Sequence, residues 1–368
     1  MTSCDAKRSV RIAVWLLILP LLAAAAASAG DWVGKENPQA GGRSNFWTAD
    51  RYAAARPLPG APQLSPADLA GMAADLQAAD ETVAGEALVS AGGAAPTLRT
   101  GELAVQLFEP RGRQAALTAP AAGSAKQPFT SAGLVPTSAD QSYPYLTVGR
   151  LYLDIGSSTY YCSAAAIRNR IVLTAGNCVH SGRNGQAGFY DNFQFVPAYR
   201  DGSAPFGTWD YNYVAVTNTW YSSGGRTPNA ADYAMLEMDD QTVNGSLHRL
   251  GDVVGYLGYQ VSSLKSNHVH ILGYCDNFDS GRRMHQVTTG SAKAIGQNSM
   301  QYGGDMRGGS QGGPWIQDFG PDASKVRVVG VTSFYPTPTG NRTMSSSIPD
   351  SRFTQLLNAV CAHRGGNC

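Results

Sequence analysis

The stretch "YCSAAAIRNRIVLTAGNC" (residues 161–178) decides the fold class of this chain. It contains the apolar run "IVLTA" (171–175), which is typical of a short buried β-strand. Cys162 and Cys178 stand sixteen positions apart around this run, and Asn177 directly precedes the second cysteine. Similar short runs elsewhere predict further strands, at 151–155, 233–238, 268–274 and 326–335. Short strands separated by turn residues favour a β-sandwich or a pair of barrels.

Two further stretches follow it along the chain. "ADYAMLEM" (231–238) places Asp232 ahead of an apolar strand, and "GSQGGP" (309–314) is a glycine-rich turn that contains Gln311. With "LTAGNC" (173–178), they resemble the "LTAAHC", "NDIALLKL" and "GDSGGP" stretches of the chymotrypsin-like (trypsin-like) serine proteases, especially the bacterial glutamyl-endopeptidase-like branch. The resemblance covers roughly residues 141–362.

The resemblance implies an all-β fold of two six-stranded Greek-key β-barrels with a C-terminal helix, in a domain at residues 141–368. The final helix is also predicted by periodicity, because apolar residues recur at helical spacing after the capping pair at 350–351. Those residues are Phe353, Leu356, Leu357 and Val360.

The cysteines fit an oxidising compartment. The resemblance implies a disulfide between Cys162 and Cys178. Cys361 and Cys368 could close a small terminal loop, which would leave Cys275 unpaired, and Cys275–Cys361 is the alternative pairing.

The departures from the family pattern fall on the catalytic positions. The resemblance places Asn177 at the general base, Asp232 at the triad aspartate and Gln311 at the nucleophile, with Ser310 one position early. A carboxamide has no pKa near neutrality, so Asn177 cannot shuttle a proton, and Gln311 offers no hydroxyl or thiol. Losing triad members costs on the order of 10⁶-fold in rate. We therefore expect a homologue that does not cleave peptide bonds.

The resemblance also implies a specificity cleft. It assigns the backbone N–H groups of Gly309 and Gln311 to the oxyanion hole, and Ser333 to the strand edge that pairs with substrate. Asp305 falls where trypsin-like members place the acid that selects basic side chains. The alternative for Asp305, which we favour, is a surface turn aspartate neutralised by Arg307.

Two hypotheses concern the replaced triad. A buried Asp232 needs hydrogen-bond donors, and the Asn177 amide can supply one, so we expect a chain Asp232–Asn177–Gln311. A substitute catalytic pair of Ser310 and His180 is the alternative. Because a misplacement of about 1 Å can cost ~10²-fold in rate, we expect His180 to be a solvent-exposed loop residue instead.

Residues 1–29 have the pattern of a secretory signal. A basic start is followed by an apolar run from Ile12 to about Ala27 and a small-residue cleavage site. This predicts a secreted or periplasmic protein with no membrane contact after cleavage; a membrane anchor is the alternative.

Residues 30–140 are rich in Ala, Gly and Pro and predict a largely disordered leader or propeptide. One helix is expected within it, capped by Ser65 and carrying an apolar stripe from Leu69 to Leu76.

Charge and residue composition indicate which classes of ligand to expect. A net charge of +1 with 15% charged residues does not suggest nucleic-acid binding. His268 and His270 share one face of a strand but lack further metal ligands, so no metal and no other cofactor is expected. His285 is assigned loosely to the specificity region. A peptide or protein ligand is the expected partner, and the sequence indicates no oligomeric state.

Three functions remain open at this stage. The first is an exported serine-protease homologue that binds peptides or proteins without cleaving them. The second is an active endopeptidase with a shifted catalytic set. The third is a structural or interaction protein whose contacts lie outside the cleft.

Overall fold

The computed structural model describes residues 31–40, 46–65, 89–98, 100–109, 121–124, 127–290, 292–335 and 342–368. The predicted signal segment and the helix predicted after Ser65 lie outside these residues. The described helices are α1 (Ala49–Ala54), α2 (Asn218–Tyr221), α3 (Leu250–Val254) and α4 (Ser351–His363). Within the described ranges, no helix is long and apolar enough to cross a membrane.

Strands make up most of the described chain. In order they are β1 (Trp32–Glu36), β2 (Arg56–Pro57), β3 (Ser90–Ala91), β4 (Val105–Gln106), β5 (Ala121–Ser124), β6 (Gln127–Gly133), β7 (Val148–Ile155), β8 (Ser158–Ala166), β9 (Ile171–Thr174), β10 (Asp191–Pro197), β11 (Ser203–Ala204), β12 (Trp209–Thr217), β13 (Ala234–Met238), β14 (Gln241–Val243), β15 (Ser246–His248), β16 (Gly258–Gln260), β17 (Val269–Gly273), β18 (His285–Thr289), β19 (Ala292–Gly296), β20 (Ser299–Gly303), β21 (Pro314–Gln317), β22 (Arg327–Val331) and β23 (Thr343–Ser347).

The first half of the domain is a closed six-stranded barrel. Its strands pair in the order β12–β10–β7–β8–β9–β13, and β13 closes the ring by pairing antiparallel with β12. Alternate residues of β7 enter two different core clusters, Leu151 and Leu153 in one and Tyr152 in the other. This follows from the two-residue period of a strand, and it requires the outer face of the barrel to be covered as well.

The second half contains an eight-stranded sheet and a three-stranded sheet. The first has the order β3–β16–β22–β21–β17–β18–β6–β5, and the second the order β19–β20–β23. Ile271, Tyr302 and Trp315 belong to the core of this half. The expected all-β architecture and C-terminal helix are confirmed. The eight-stranded sheet differs from a six-stranded barrel, since three of its strands come from the leader and five from the domain.

The leader is more ordered in its described segments than its composition predicted. β1 pairs antiparallel with β12, β3 with β16 and β6 with β18, while β2 runs parallel to β8. The edge of a sheet offers unpaired N–H and C=O groups, which an extended segment of almost any composition can satisfy. Backbone pairing with the domain therefore overrides the flexibility that Ala, Gly and Pro favour.

Two disulfides are formed as expected. Cys162 on β8 is bonded to Cys178, directly after β9, with 6.2 Å between their Cα atoms. Cys361 is bonded to Cys368 across the end of α4. Cys275 is a free, buried thiol, so the alternative Cys275–Cys361 pairing is not formed.

His363 joins the leader to the end of α4. Its Nε2 lies 2.9 Å from Glu36 on β1, and its Nδ1 lies 2.6 Å from the buried Glu237 on β13. Burial lowers the pKa of His363, but the hydrogen bonds and charges of the two carboxylates outweigh burial and raise the pKa above its usual 6.5. A protonated ring donates from both nitrogens, so the link is strongest at low pH.

We expect this link to make stability depend on pH. Because the folded-state pKa exceeds the unfolded value, the stabilisation is complete below about pH 6.5 and is lost as pH rises through the raised pKa. His363→Gln should melt about 1–3 °C below the parent at pH 5.5, with a smaller deficit at pH 9. Thermal unfolding followed by circular dichroism measures this, with exposed His268→Gln as the control. An equal deficit at both pH values would contradict it.

Candidate active-site cleft

Asn177 and Asp232 are paired at the edge of the first barrel. Asn177 lies in the 3₁₀ turn Gly176–Cys178 that follows β9. Its backbone N–H donates to Asp232 Oδ1 at 2.8 Å, and its side-chain Nδ2 donates to Asp232 Oδ2 at 2.7 Å. The first link of the hypothesised chain is therefore present. The same Nδ2 donates its second hydrogen to the Ser333 carbonyl at 2.9 Å, which ties the turn to the second half of the domain.

Asp232 is completely buried and surrounded by donors. The Ser333 hydroxyl donates to Asp232 Oδ2, and the backbone N–H of Asp232 donates to Ser347 Oγ at 3.0 Å. Burial raises the pKa of Asp232 to about 6, and the hydrogen bonds from Ser333, Asn177 and Gly176 oppose that rise. Short hydrogen bonds from Asn177 and Ser333 therefore hold the Asp232 carboxylate, and no ion pair to it occurs among the described residues.

Gln311 does not complete the hypothesised chain. Its Oε1 accepts the N–H of Gly309 at 2.9 Å, and its Nε2 donates to the carbonyl of Leu58 at 3.1 Å. The link from Asn177 to Gln311 is not formed: the Asn177 amide hydrogens go to Asp232 and Ser333, and the Gln311 amide bonds to Gly309 and Leu58 instead. One of the two N–H groups expected in the oxyanion hole is thus occupied by the side chain at the nucleophile position.

The turn around Gln311 depends on glycine at two positions. Gly309 has a φ of +86°, and a Cβ there would lie 2.2 Å from the ring of Tyr161. Gly312 has a φ of +80°, and a Cβ there would lie 2.0 Å from Thr174 Oγ1. These contacts pack the turn against β8 and the end of β9. The turn therefore has a fixed shape regardless of the side chain at 311.

Ser310 and His180 do not form a substitute catalytic pair. His180 is buried, not exposed as expected, and its ring stacks on Tyr221 with 4.7 Å between centroids. Its Nδ1 accepts the N–H of Gly182 at 2.9 Å, which leaves Nε2 to donate to the carbonyl of Gly185 at 2.9 Å. Local backbone groups use both nitrogens, so none is free to accept a serine proton.

Asp305 is a buried residue and not a surface turn aspartate. Its side chain is 9% exposed, and Oδ2 lies 3.5 Å from an Arg342 guanidinium nitrogen. Its backbone carbonyl accepts from Asn277 at 2.8 Å. The Arg307 guanidinium lies over the ring of Tyr335, at 5.5 Å from the centroid. Asp305 is thus held inside the fold, beside the exposed Arg342.

The histidines considered above for metal binding or specificity, His268, His270 and His285, contact neighbouring side chains. His285 is buried, stacks on Phe278 at 4.0 Å and contacts Ser131 Oγ on β6 at 2.6 Å. Burial lowers the pKa of His285 to about 4, so the ring is neutral at physiological pH. His270 stacks on Phe319, and His268 lies beside it. No group of three or more potential metal ligands occurs among the described residues.

Leader residues 56–64 contact Gln311 and its neighbours, and the sequence alone did not predict these contacts. The N–H of Leu58 donates to the carbonyl of Tyr161 at 3.0 Å, while its own carbonyl accepts from Gln311. Further along, Gln63 Nε2 donates to the carbonyl of Tyr335 at 2.8 Å, and the N–H of Leu64 donates to the carbonyl of Thr227 at 2.7 Å. Its three prolines carry no strand signal, so the sequence predicts no ordered contact for this part of the leader.

Comparison with known proteins shows which proteins the chain is similar to. No protein-family model matches the chain. It is 28% identical over 176 residues to the glutamyl endopeptidase of Bacillus licheniformis, across 47% of this chain and 49% of that protein. The chain thus spans about half the length of this curated relative. The protease Anisep of Arthrobacter nicotinovorans superposes with a TM-score of 0.50 at 27% identity, over 59% of this chain and 96% of that one. The chain is a homologue of the trypsin/chymotrypsin-like serine proteases.

A second solved structure has the same fold as this serine protease homologue. The thermostable serine protease AL20, from an extremophilic microorganism, superposes with a TM-score of 0.50 at 22% identity, over 60% of this chain and 98% of that one. Asn177 lies in the turn after β9, Asp232 lies two residues before β13, and Gln311 lies in the turn before β21. The side chains of Asn177 and Gln311 can donate and accept hydrogen bonds, but neither is a nucleophile or a base. The Asp232 carboxyl is the one group of the three that titrates, and it is fully buried.

We expect Asn177→Ala to destabilise the homologue by about 1–3 kcal/mol, because it removes two buried hydrogen bonds. The folded-state pKa of Asp232 lies above its usual 3.8, so stability falls as pH rises from about 4 to about 6. Losing a donor raises that pKa further, so the destabilisation should be larger at pH 7.5 than at pH 5. Urea unfolding at both pH values measures it, and exposed Asn358→Ala on α4 should have little effect. A pH-independent loss would show that Asn177 does not act through Asp232.

Proposed function

We propose that the protein is an exported serine protease homologue that does not cleave peptide bonds and whose cleft holds an extended peptide segment. The observation that carries this proposal is the position of the Gln311 side chain. Its carboxamide accepts an N–H of its own turn and donates to a peptide carbonyl of the leader. The group at the nucleophile position thus acts as a hydrogen-bonding contact for a peptide.

The chemistry of the neighbouring groups supports the absence of catalysis. The triad mechanism needs a base that removes the serine proton and later returns it to the leaving group. Asn177 uses both amide hydrogens to hold Asp232 and Ser333, and it has no basic nitrogen. Gln311 has no oxygen nucleophile, and its side chain takes the Gly309 N–H that would otherwise face a developing oxyanion.

The leader supports the peptide-binding part of the proposal. Leu58 is 4% exposed and enters the core cluster of the first barrel. Its N–H and C=O are both bonded to cleft residues, Tyr161 and Gln311. Gln63 and Leu64 make further backbone-directed bonds to the other side of the cleft. Backbone contacts with one buried apolar anchor are the usual basis of extended-peptide recognition.

Export is supported by the cysteine chemistry. Two disulfides persist only in an oxidising compartment, and the relatives found by comparison are proteases that share this fold. An extracellular or periplasmic location is therefore part of the proposal.

Restoring the missing groups tests the absence of catalysis. Asn177→His with Gln311→Ser supplies a base beside Asp232 and a hydroxyl in the fixed turn, and it releases the Gly309 N–H. We expect the parent to ignore a fluorophosphonate probe and the double variant to be labelled, with peptidase activity at least about 10²-fold above the parent. The single and double variants are also made with Leu58→Glu, which should release residues 56–64 so that the leader does not block access of the probe to position 311.

Two outcomes contradict this part of the proposal. Labelling of the parent at Ser310 or elsewhere in the cleft would show an active catalytic set. A correctly folded double variant that stays unlabelled with the leader released would show that these positions are not those of a triad. The single variants serve as controls, since each lacks one of the two required groups.

Peptide binding is tested by releasing the leader. Leu58→Glu places a charge in the apolar core and should expel residues 56–64 from the cleft. We expect this variant, but not the parent, to bind a fluorescent peptide of residues 55–65 (ARPLPGAPQLS) saturably and to ignore a scrambled version. Leu247→Glu is the matched control, because Leu247 is 70% exposed. A folded Leu58→Glu protein without binding would contradict the peptide-holding cleft and leave the test of catalysis unaffected.

A further inference from the structure

Arg150 is a buried cation outside the cleft described above. It lies on β7, is 3% exposed and is enclosed by aromatic rings. Its guanidinium carbon lies 3.6 Å from the ring centroid of Tyr161, 4.6 Å from that of Tyr199 and 4.9 Å from that of Tyr152. No carboxylate pairs with it among the described residues, and its Nε has no hydrogen-bond acceptor there.

The rings compensate only part of the cost of burying this charge. A cation over an aromatic face is stabilised by the ring, but burying an ion without a counter-ion costs more than such contacts return. The hydroxyls of Tyr161 and Tyr274 are also buried without hydrogen-bond partners in the described part of the chain. Water could satisfy hydroxyl groups, but it cannot neutralise the guanidinium. An anion supplies both the acceptor and the opposite charge.

A cavity of about 320 Å³ adjoins this cation. Arg150 and Tyr199 form one side of it, and Arg282 lies on the wall. Leader residues also line it, among them the apolar Ala53 and Ala55 at the end of α1 and Phe108. The volume and the mixture of apolar walls with a few polar groups are those of a small-molecule site.

Further charged groups surround the cavity. Arg282 and Arg283 lie 3.9 and 2.7 Å from Asp201, and Asp279 also interacts with both arginines. Glu109 is the carboxylate on the wall, and its side chain is exposed. Arg150 is the lining cation with which no carboxylate of the described residues pairs.

We propose that this cavity binds the carboxylate of a small organic acid, with the carboxylate on Arg150 and the apolar body of the ligand against the leader. A planar guanidinium matches the two oxygens of a carboxylate. The apolar leader wall fits an organic body and offers few donors for the additional oxygens of a phosphate. This site is independent of the proposed cleft function, since Arg150 takes no part in the Asp232 or Gln311 contacts.

The test compares benzoate with benzamide, its neutral analogue of nearly equal shape, by calorimetry on the full chain. We expect saturable one-to-one binding of benzoate and at least about tenfold weaker binding of benzamide. Arg150→Met should abolish the preference, whereas Arg226→Met, at an exposed arginine, should preserve it. Tyr199→Phe keeps the ring and should weaken benzoate binding.

A gain-of-function variant keeps the proposal testable if Arg150→Met does not fold. Glu109→Gln removes the exposed carboxylate at the opening and should tighten benzoate binding about twofold or more, while benzamide is unaffected. Absence of saturable benzoate binding by the parent would overturn the proposal. Equal binding of benzoate and benzamide, or displacement of benzoate by inorganic phosphate at lower concentration, would overturn the carboxylate assignment.

Discussion

The buried carboxylate of Asp232 is the constraint on which the cleft depends. A carboxylate with no exposed surface and no neighbouring cation needs hydrogen-bond donors on both oxygens. Asn177 supplies two, from its backbone and its side chain, and Ser333 supplies a third. Satisfying one carboxylate thus brings together the end of β9, the start of β13 and the strand edge after β22. The cleft is defined where these three segments meet.

Asn177 and Gln311 solve different local problems with the same functional group. The Asn177 carboxamide replaces the donor that holds the aspartate and also reaches the Ser333 carbonyl. The Gln311 carboxamide satisfies an N–H of its own turn and a carbonyl of the leader. Both amide hydrogens of Asn177 and the amide oxygen of Gln311 thus have partners inside the fold. The two carboxamides therefore hold neighbouring segments of the chain together at these positions.

The leader is part of the folded unit in its described segments. It adds strands to both halves of the domain, and His363 ties β1 to Glu237 and the end of α4. It also covers the Arg150 cavity and places Leu58 on Gln311. These contacts use the backbone, single apolar anchors and a few charges. A segment of low sequence complexity can make them because the domain supplies the geometry.

The sequence by itself determined the all-β class, the Cys162–Cys178 disulfide, the terminal helix and the serine protease relationship. Strand alternation, helical spacing and a short motif are local properties that can be read along the chain. Only the tertiary structure decided where the carboxamides point, that His180 and Asp305 are buried, and that leader residue Leu58 is bonded to Gln311. These depend on which distant backbone groups lack a partner, as with the Leu58 carbonyl near Gln311. No local pattern encodes such pairing, because an N–H or C=O is the same at every residue.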